Sequence, residues 1–133
     1  MSWDIAVWEG EQPESDAAAA ARFDALYAWS VDADDPPTPA LVAYVDALLA
    51  RYPDLTDVDA DAVDESPWAD GPLIDNAIGP LLYFALVSSK LDAALPFIVE
   101  TARERELVCF DPQTGELLGR ERERRTRRWW RRR

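Results

Sequence analysis

The chain has 133 residues, of which 26 are acidic and 14 basic, with no histidine and one cysteine. This length indicates a single domain with a sizeable core, and an apolar content of 48% excludes a disordered chain. One cysteine excludes an internal disulfide and a cysteine-based metal site, and the lack of histidine excludes the commonest general base. No apolar run reaches the roughly 18 residues of a membrane span, and the N-terminus lacks a signal-peptide pattern, so we expect a cytoplasmic protein.

The charge divides the chain into two parts. Residues 1–119 carry 24 acidic and 5 basic side chains, a net charge of −19, whereas residues 120–133 carry nine arginines and two glutamates, a net charge of +7. This asymmetry predicts an acidic domain over residues 1–119 and a basic tail over residues 120–133 that is disordered or appended.

The first half of the chain predicts one strand and two helices. Apolar residues alternate from residue 3 to residue 8, which is typical of a strand, and both of its faces are largely apolar. Ser15 is expected to cap a helix that runs to about residue 30, and Thr38 to cap a second helix that Pro53 ends. The buried face of the first helix is predicted to hold Phe23, Leu26, Tyr27 and Trp29.

The second half predicts a strand, a helix and a strand. Residues 80–87 (PLLYFALV) form an apolar run, Ser88 or Ser89 offers a helix cap, and residues 107–110 (LVCF) form another short apolar run. Two strands joined through a helix indicate a crossover between parallel strands. Residues 111–115 (DPQTG) predict a turn into a possible edge strand, and a short strand is expected around Leu73 and Ile74.

This order of elements predicts an α+β fold. We expect a mixed sheet of four to five strands with about three helices packed on one face, in a ferredoxin-like arrangement.

Residues 54–70 (DLTDVDADAVDESPWAD) hold seven carboxylates and no basic residue. The triplet Asp57, Asp59 and Asp61 resembles the start of a calcium loop, but Ala62 and Trp68 occupy the positions that need Gly and Glu, so no metal site is predicted. A solvated loop and a docking surface for a basic protein both fit such a run. The candidate binding residues are Asp57, Asp59, Asp61, Asp64, Glu65, Trp68, Asp70 and Asp75.

Trp68 has two readings, because a tryptophan in a polar loop either packs against the edge of the core or anchors an interface. The first reading is the favoured one.

No catalytic motif appears in the sequence. Ser88-Ser89-Lys90 lacks the S-x-x-K spacing of serine acyl enzymes, the five glycines form no phosphate loop, and Cys109 fits a small core residue. We therefore expect no enzyme activity and no cofactor, with a carboxylate-based enzyme as a third possibility.

The tail RERERRTRRWWRRR supports a second hypothesis. Its arginines could contact phosphates and its tryptophans could stack on bases, so nucleic acid or an anionic membrane surface could bind it. A solvated tail, a segment folded back onto the acidic domain, and the product of an out-of-frame coding sequence also fit. The candidate tail residues are Arg127, Arg128, Trp129, Trp130 and Arg131.

Three segments, SWDIAVWEG, SPWADGPL and LVCFDPQTGEL, resemble a group of small, uncharacterised acidic proteins of high-GC bacteria. The resemblance covers about residues 1–119 and brings no catalytic residues. Some acidic single-domain proteins of this general kind are immunity proteins that act beside secreted toxins. The resemblance therefore implies a non-enzymatic domain that neutralises a basic partner, such as a toxin, through acidic side chains.

Overall fold

The computed structural model describes residues 2–119, which form five strands and three main helices. The strands are β1 (Ser2–Trp8), β2 (Ala77–Ile78), β3 (Leu81–Val87), β4 (Val108–Asp111) and β5 (Glu116–Leu118), and the helices are α1 (Asp16–Val31), α2 (Pro39–Arg51) and α3 (Leu91–Glu104). The predicted α+β class is confirmed.

The strands form one antiparallel sheet in the order β2-β3-β1-β4-β5. The central strand β1 pairs with β3 on one side, where Ile5 lies opposite Phe84, and with β4 on the other, where Val7 lies opposite Cys109. The prediction of a mixed sheet is therefore wrong. Strands β3 and β4 run in the same direction, but β1 lies between them, so they make no parallel pair. The ferredoxin-like arrangement is not confirmed.

Helices cover both faces of the sheet rather than one. Ile5 and Val7 of β1 belong to a core that also contains buried residues of α2 and α3. The alternate residues Ala6 and Trp8 point to the other face, where they pack with Leu26 of α1. Since successive side chains of a strand point to opposite faces, an apolar β1 requires cover on both sides. The predicted placement of all helices on one face is wrong.

Helix starts follow the sequence signals in two cases out of three. The Ala18 N–H donates to Ser15 Oγ at 3.1 Å, and the Leu41 N–H donates to Thr38 Oγ1 at 3.4 Å, so both predicted caps are confirmed. The start of α3 differs, because Ser88–Lys90 forms a turn of 3₁₀-helix and α3 begins at Leu91 without a side-chain cap.

The chain before β3 also differs from the prediction. Residues Leu73–Asn76 form a 3₁₀-helix, and the strand follows it at Ala77 and Ile78. The turn between β4 and β5 is confirmed: Asp111 Oδ1 accepts a hydrogen bond from the Gln113 N–H at 2.9 Å, and Gly115 adopts a φ of +74°.

Candidate functional site

The predicted acidic residues lie on the segment that leads from the end of α2 to the edge of the sheet. Two short 3₁₀-helices, Leu55–Asp57 and Ala60–Glu65, make up its first part. All seven predicted carboxylates are exposed, namely those of Asp57, Asp59, Asp61, Asp64, Glu65, Asp70 and Asp75. Their exposure leaves them available to a partner.

Trp68 is part of the core and not an exposed anchor. Its side chain is 1% exposed, and its indole N–H donates to the Tyr52 carbonyl at 2.9 Å. The rings of Tyr52 and Phe84 meet it edge-on, with centroids 6.2 and 6.0 Å away. The alternative in which Trp68 anchors an interface is therefore wrong, because a partner could not reach the ring without opening the core.

Asp54 holds the acidic segment in place. It is 4% exposed, and its carboxylate accepts hydrogen bonds from the Leu73 N–H at 3.0 Å and the Thr56 N–H at 3.4 Å. A buried carboxylate needs such donors to replace water. Asp54 is thus structural, whereas the other acidic residues of residues 54–70 face solvent.

The acidic segment then runs along the edge of β3. The Val87 N–H donates to the Pro67 carbonyl at 2.8 Å, and the Ala69 N–H donates to the Ala85 carbonyl at 3.0 Å. Trp68 forms an isolated antiparallel bridge with Leu86. These bonds fix the backbone next to Asp70 against the sheet, so that its carboxylate sits on a rigid element.

A second acidic stretch, residues 32–35 between α1 and α2, reaches the same edge. The Gly79 N–H donates to the Asp35 carbonyl at 3.1 Å, and the Thr38 N–H donates to the Gly79 carbonyl at 3.0 Å. Gly79 adopts a φ of +55°, and a Cβ there would lie 2.8 Å from the Trp29 ring. Glycine therefore lets the strand edge, the linker and Trp29 approach one another.

The exposed carboxylates of the two stretches thus lie on segments whose backbones bond to this edge of the sheet, at Ala85 and Val87 of β3 and at Gly79. We call this set the acidic edge; it comprises Asp32, Asp34, Asp35, Asp57, Asp59, Asp61, Asp64, Glu65, Asp70 and Asp75. The sequence has no basic residue between Arg22 and Arg51 or between Arg51 and Lys90. The acidic edge therefore carries a concentrated negative field.

Two aromatic side chains border the acidic edge, although both were predicted to be buried. Tyr27 is 48% exposed and Trp29 is 41% exposed. The inward stripe of α1 follows the buried Ala19, Leu26 and Ser30 and the half-buried Phe23, at spacings of three and four. Trp29 lies off this stripe, so helical periodicity could have identified it as a surface residue.

At the opposite edge of the sheet, a cavity of about 590 Å³ lies beside the edge strand β5. Its lining includes Cys109, Glu14, Glu106 and Arg103. Burial raises the pKa of the Cys109 thiol to about 12, and the nearby Asp111 adds to the shift. Because the thiolate is the reactive form, this geometry gives no support to a cysteine nucleophile at neutral pH.

Among residues 2–119, no group of three or more side chains that could hold a metal ion comes together. Within the same residues, no helix is both long and apolar enough to cross a membrane. The tail candidates Arg127, Arg128, Trp129, Trp130 and Arg131 lie outside the described residues.

No known protein family, curated protein or solved structure matches the chain.

Proposed function

We propose that the chain is a protein-binding domain of the immunity or antitoxin type, which neutralises a basic protein, such as a toxin, by covering its active surface. The observation that carries the proposal is the acidic edge, ten exposed carboxylates on two stretches of chain whose backbones bond to the sheet edge at β3 and at Gly79. Clustered charge of one sign accelerates association with a partner of opposite charge. The proposed activity requires neither a metal nor a cofactor.

The aromatic residues strengthen the case for a protein as the partner. Binding energy in protein interfaces concentrates in a few residues, among which Trp, Tyr and Arg are enriched. Tyr27 and Trp29 are large, half-exposed and next to the acidic edge. They can bury apolar area against a partner that the carboxylates attract.

The proposal is tested by first capturing the partner and then measuring its affinity. A photo-crosslinking residue in place of Asp32 labels the protein that contacts the acidic edge, and that protein is purified. Its affinity is then compared between two triple variants with equal net charge. The edge variant is Asp32→Asn/Asp35→Asn/Asp75→Asn, and the control is Glu11→Gln/Glu104→Gln/Glu106→Gln, whose residues are exposed and lie away from β2.

We expect the edge variant to bind about tenfold or more weakly at low salt, and the control to bind nearly as well as the natural sequence. The difference should shrink with added salt, since the screening length falls from about 10 Å at 0.1 M to about 3 Å at 1 M. An equal loss of affinity in both variants would show that the net charge of the chain, and not the acidic edge, attracts the partner. A partner with no excess of basic residues would contradict the proposal.

A chain that ends at Gly119 separates this function from one carried by the tail. The proposal predicts that partner binding survives the truncation. Loss of binding, together with retention of nucleic acid or anionic vesicles by the full chain alone, would assign the function to residues 120–133.

A further inference from the structure

A small cleft opens between the C-terminal half of α1 and strand β2, next to the acidic edge. Its volume is about 230 Å³, and Tyr27, Ser30, Asp75, Asn76, Ile78 and Tyr83 contribute to its lining. Small-molecule sites usually measure about 300–1,000 Å³. The cleft is therefore closer in size to one amino-acid side chain than to a cofactor.

Two tyrosine rings form an aromatic wall of the cleft. The ring centroids of Tyr27 and Tyr83 lie 5.6 Å apart, with an angle of 51° between the rings. Phe23 supports both rings from within, at 5.8 Å from Tyr27 and 5.5 Å from Tyr83. The face of an aromatic ring carries negative potential, so such a wall attracts a cation.

Two of the three hydroxyl hydrogens of the lining are already committed to the protein. Ser30 Oγ donates to the Tyr27 carbonyl at 2.8 Å, and the Tyr83 hydroxyl donates to Asp4 Oδ2 at 3.1 Å. A ligand that requires hydrogen-bond donors from these two groups, such as a phosphate or a carboxylate, would find none. The Tyr27 hydroxyl is the remaining hydroxyl donor of the lining, and the Asp75 carboxylate repels negative charge, so the cleft disfavours an anion.

Hydrogen-bond acceptors, by contrast, remain available. The Asn76 side-chain nitrogen donates to Asp70 Oδ1 at 3.2 Å and to the Leu73 carbonyl at 3.3 Å, and this leaves its oxygen as an acceptor. Within residues 2–119, the Asp75 carboxylate accepts no hydrogen bond and forms no ion pair. The occupant that satisfies these groups is positively charged and rich in donors.

We propose that this cleft receives an arginine side chain of the basic partner. Guanidinium has five N–H donors and no acceptor, is flat enough to stack on a tyrosine face, and pairs with carboxylates. The Asp75 carboxylate pairs with it, and Tyr27 and Tyr83 provide the stacking surface. The inference rests on the proposed function and names the group of the partner that the acidic edge holds.

The site is tested on the full chain with small probes. The ¹⁵N-labelled protein is titrated with N-acetyl-arginine amide, with the lysine analogue, and with the citrulline analogue, which keeps the shape of arginine without its charge. We expect saturable amide shifts at Ser30, Asp75, Asn76 and Ile78, strongest with arginine and absent with citrulline. Shifts spread evenly over all acidic segments, or equal effects of arginine and citrulline, would overturn the inference.

Variants of Asp75 and Tyr27 then test the roles of the carboxylate and of the aromatic ring. Asp75→Asn should weaken the binding of N-acetyl-arginine amide about threefold or more at low salt, because it removes the carboxylate that pairs with the guanidinium at this solvent-exposed position. Tyr27→Ala should weaken it as well, whereas Tyr27→Phe keeps the ring and should retain binding. Glu104→Gln, which removes a distant charge, serves as the control. Unchanged binding by Asp75→Asn, in a variant whose amide spectrum shows it folded, would overturn the inference.

The probe separates this inference from the proposed function. If the probe fails to bind but the partner still requires the acidic edge, the cleft has no such role and the proposed function stands. If arginine binds in the cleft but an Asp32→Asn/Asp35→Asn variant, which keeps Asp75, leaves partner affinity unchanged while Asp75→Asn lowers it, the proposed role of the whole acidic edge fails and the arginine site stands.

Discussion

Replacement of Trp68 by alanine should destabilise the whole domain. The side chain is 1% exposed, so nearly all of its surface leaves water on folding. A buried aromatic side chain covers about 150–250 Å², which at about 25 cal/mol per Å² corresponds to about 4–6 kcal/mol. The alanine side chain retains a small part of this burial free energy. Replacement of a buried Trp or Phe by Ala typically lowers the free energy of unfolding by about 3–5 kcal/mol. The lost hydrogen bond to the Tyr52 carbonyl contributes about 1 kcal/mol of that total.

Urea unfolding followed by circular dichroism measures this loss, and thermal unfolding should show a fall in Tm of roughly 12–20 °C. Trp29→Ala is the matched control, because it removes the same side chain from a site that is 41% exposed. We expect the control to lose less than half as much stability. If Trp68→Ala unfolds at the same urea concentration as the control but loses partner binding, Trp68 is an interface residue and our placement of it in the core is wrong.

Three further predictions follow from buried and titratable groups. Cys109 should react with iodoacetamide at pH 8 only after unfolding, since burial raises its pKa to about 12; rapid reaction of the folded chain would contradict this. Burial and a neighbouring carboxylate raise the pKa of Tyr83 from 10.0 to about 12, so the neutral phenol favours the folded state. This contribution is complete below pH 10 and is lost as the pH rises towards 12, and Tyr83→Phe should flatten that decline in urea midpoints. Asp54→Ala should lower the free energy of unfolding, measured with urea, by about 1–3 kcal/mol, because it leaves the buried Leu73 N–H without its acceptor. The control Asp57→Ala, at an exposed site, should lower it by less than about 0.5 kcal/mol.

Local sequence signals predicted most of the elements correctly. The alternation in β1, the caps at Ser15 and Thr38, and the turn before β5 depend on neighbours in the chain, and the structure has all of them. The prediction that Ser88 or Ser89 caps α3 was wrong, because these residues belong to a 3₁₀ turn and α3 starts at Leu91.

The order of strands could not be predicted in this way. The sequence shows β3, α3 and β4 in succession, but β1 lies between the two strands, and its pairing partners are 73 to 104 positions away in the chain. One signal did exist: both faces of β1 are apolar, and a sheet that is buried on both faces needs helices on both sides.

The candidate site was predicted in part. Its carboxylates were evident from composition, and the structure exposes them. That residues 32–35 reach the same edge of the sheet depends on the hydrogen bond from the Gly79 N–H to the Asp35 carbonyl, a contact between distant segments that no local pattern encodes.

Hydrogen exchange of the complex with the crosslinked partner tests the central claim most directly. The acidic edge predicts slower exchange of backbone amides at residues 29–35 and 70–79 when the partner is bound, with little change at residues 99–119 beside β5. Protection confined to residues 99–119, or to residues 120–133, would place the partner elsewhere and contradict an acidic docking edge.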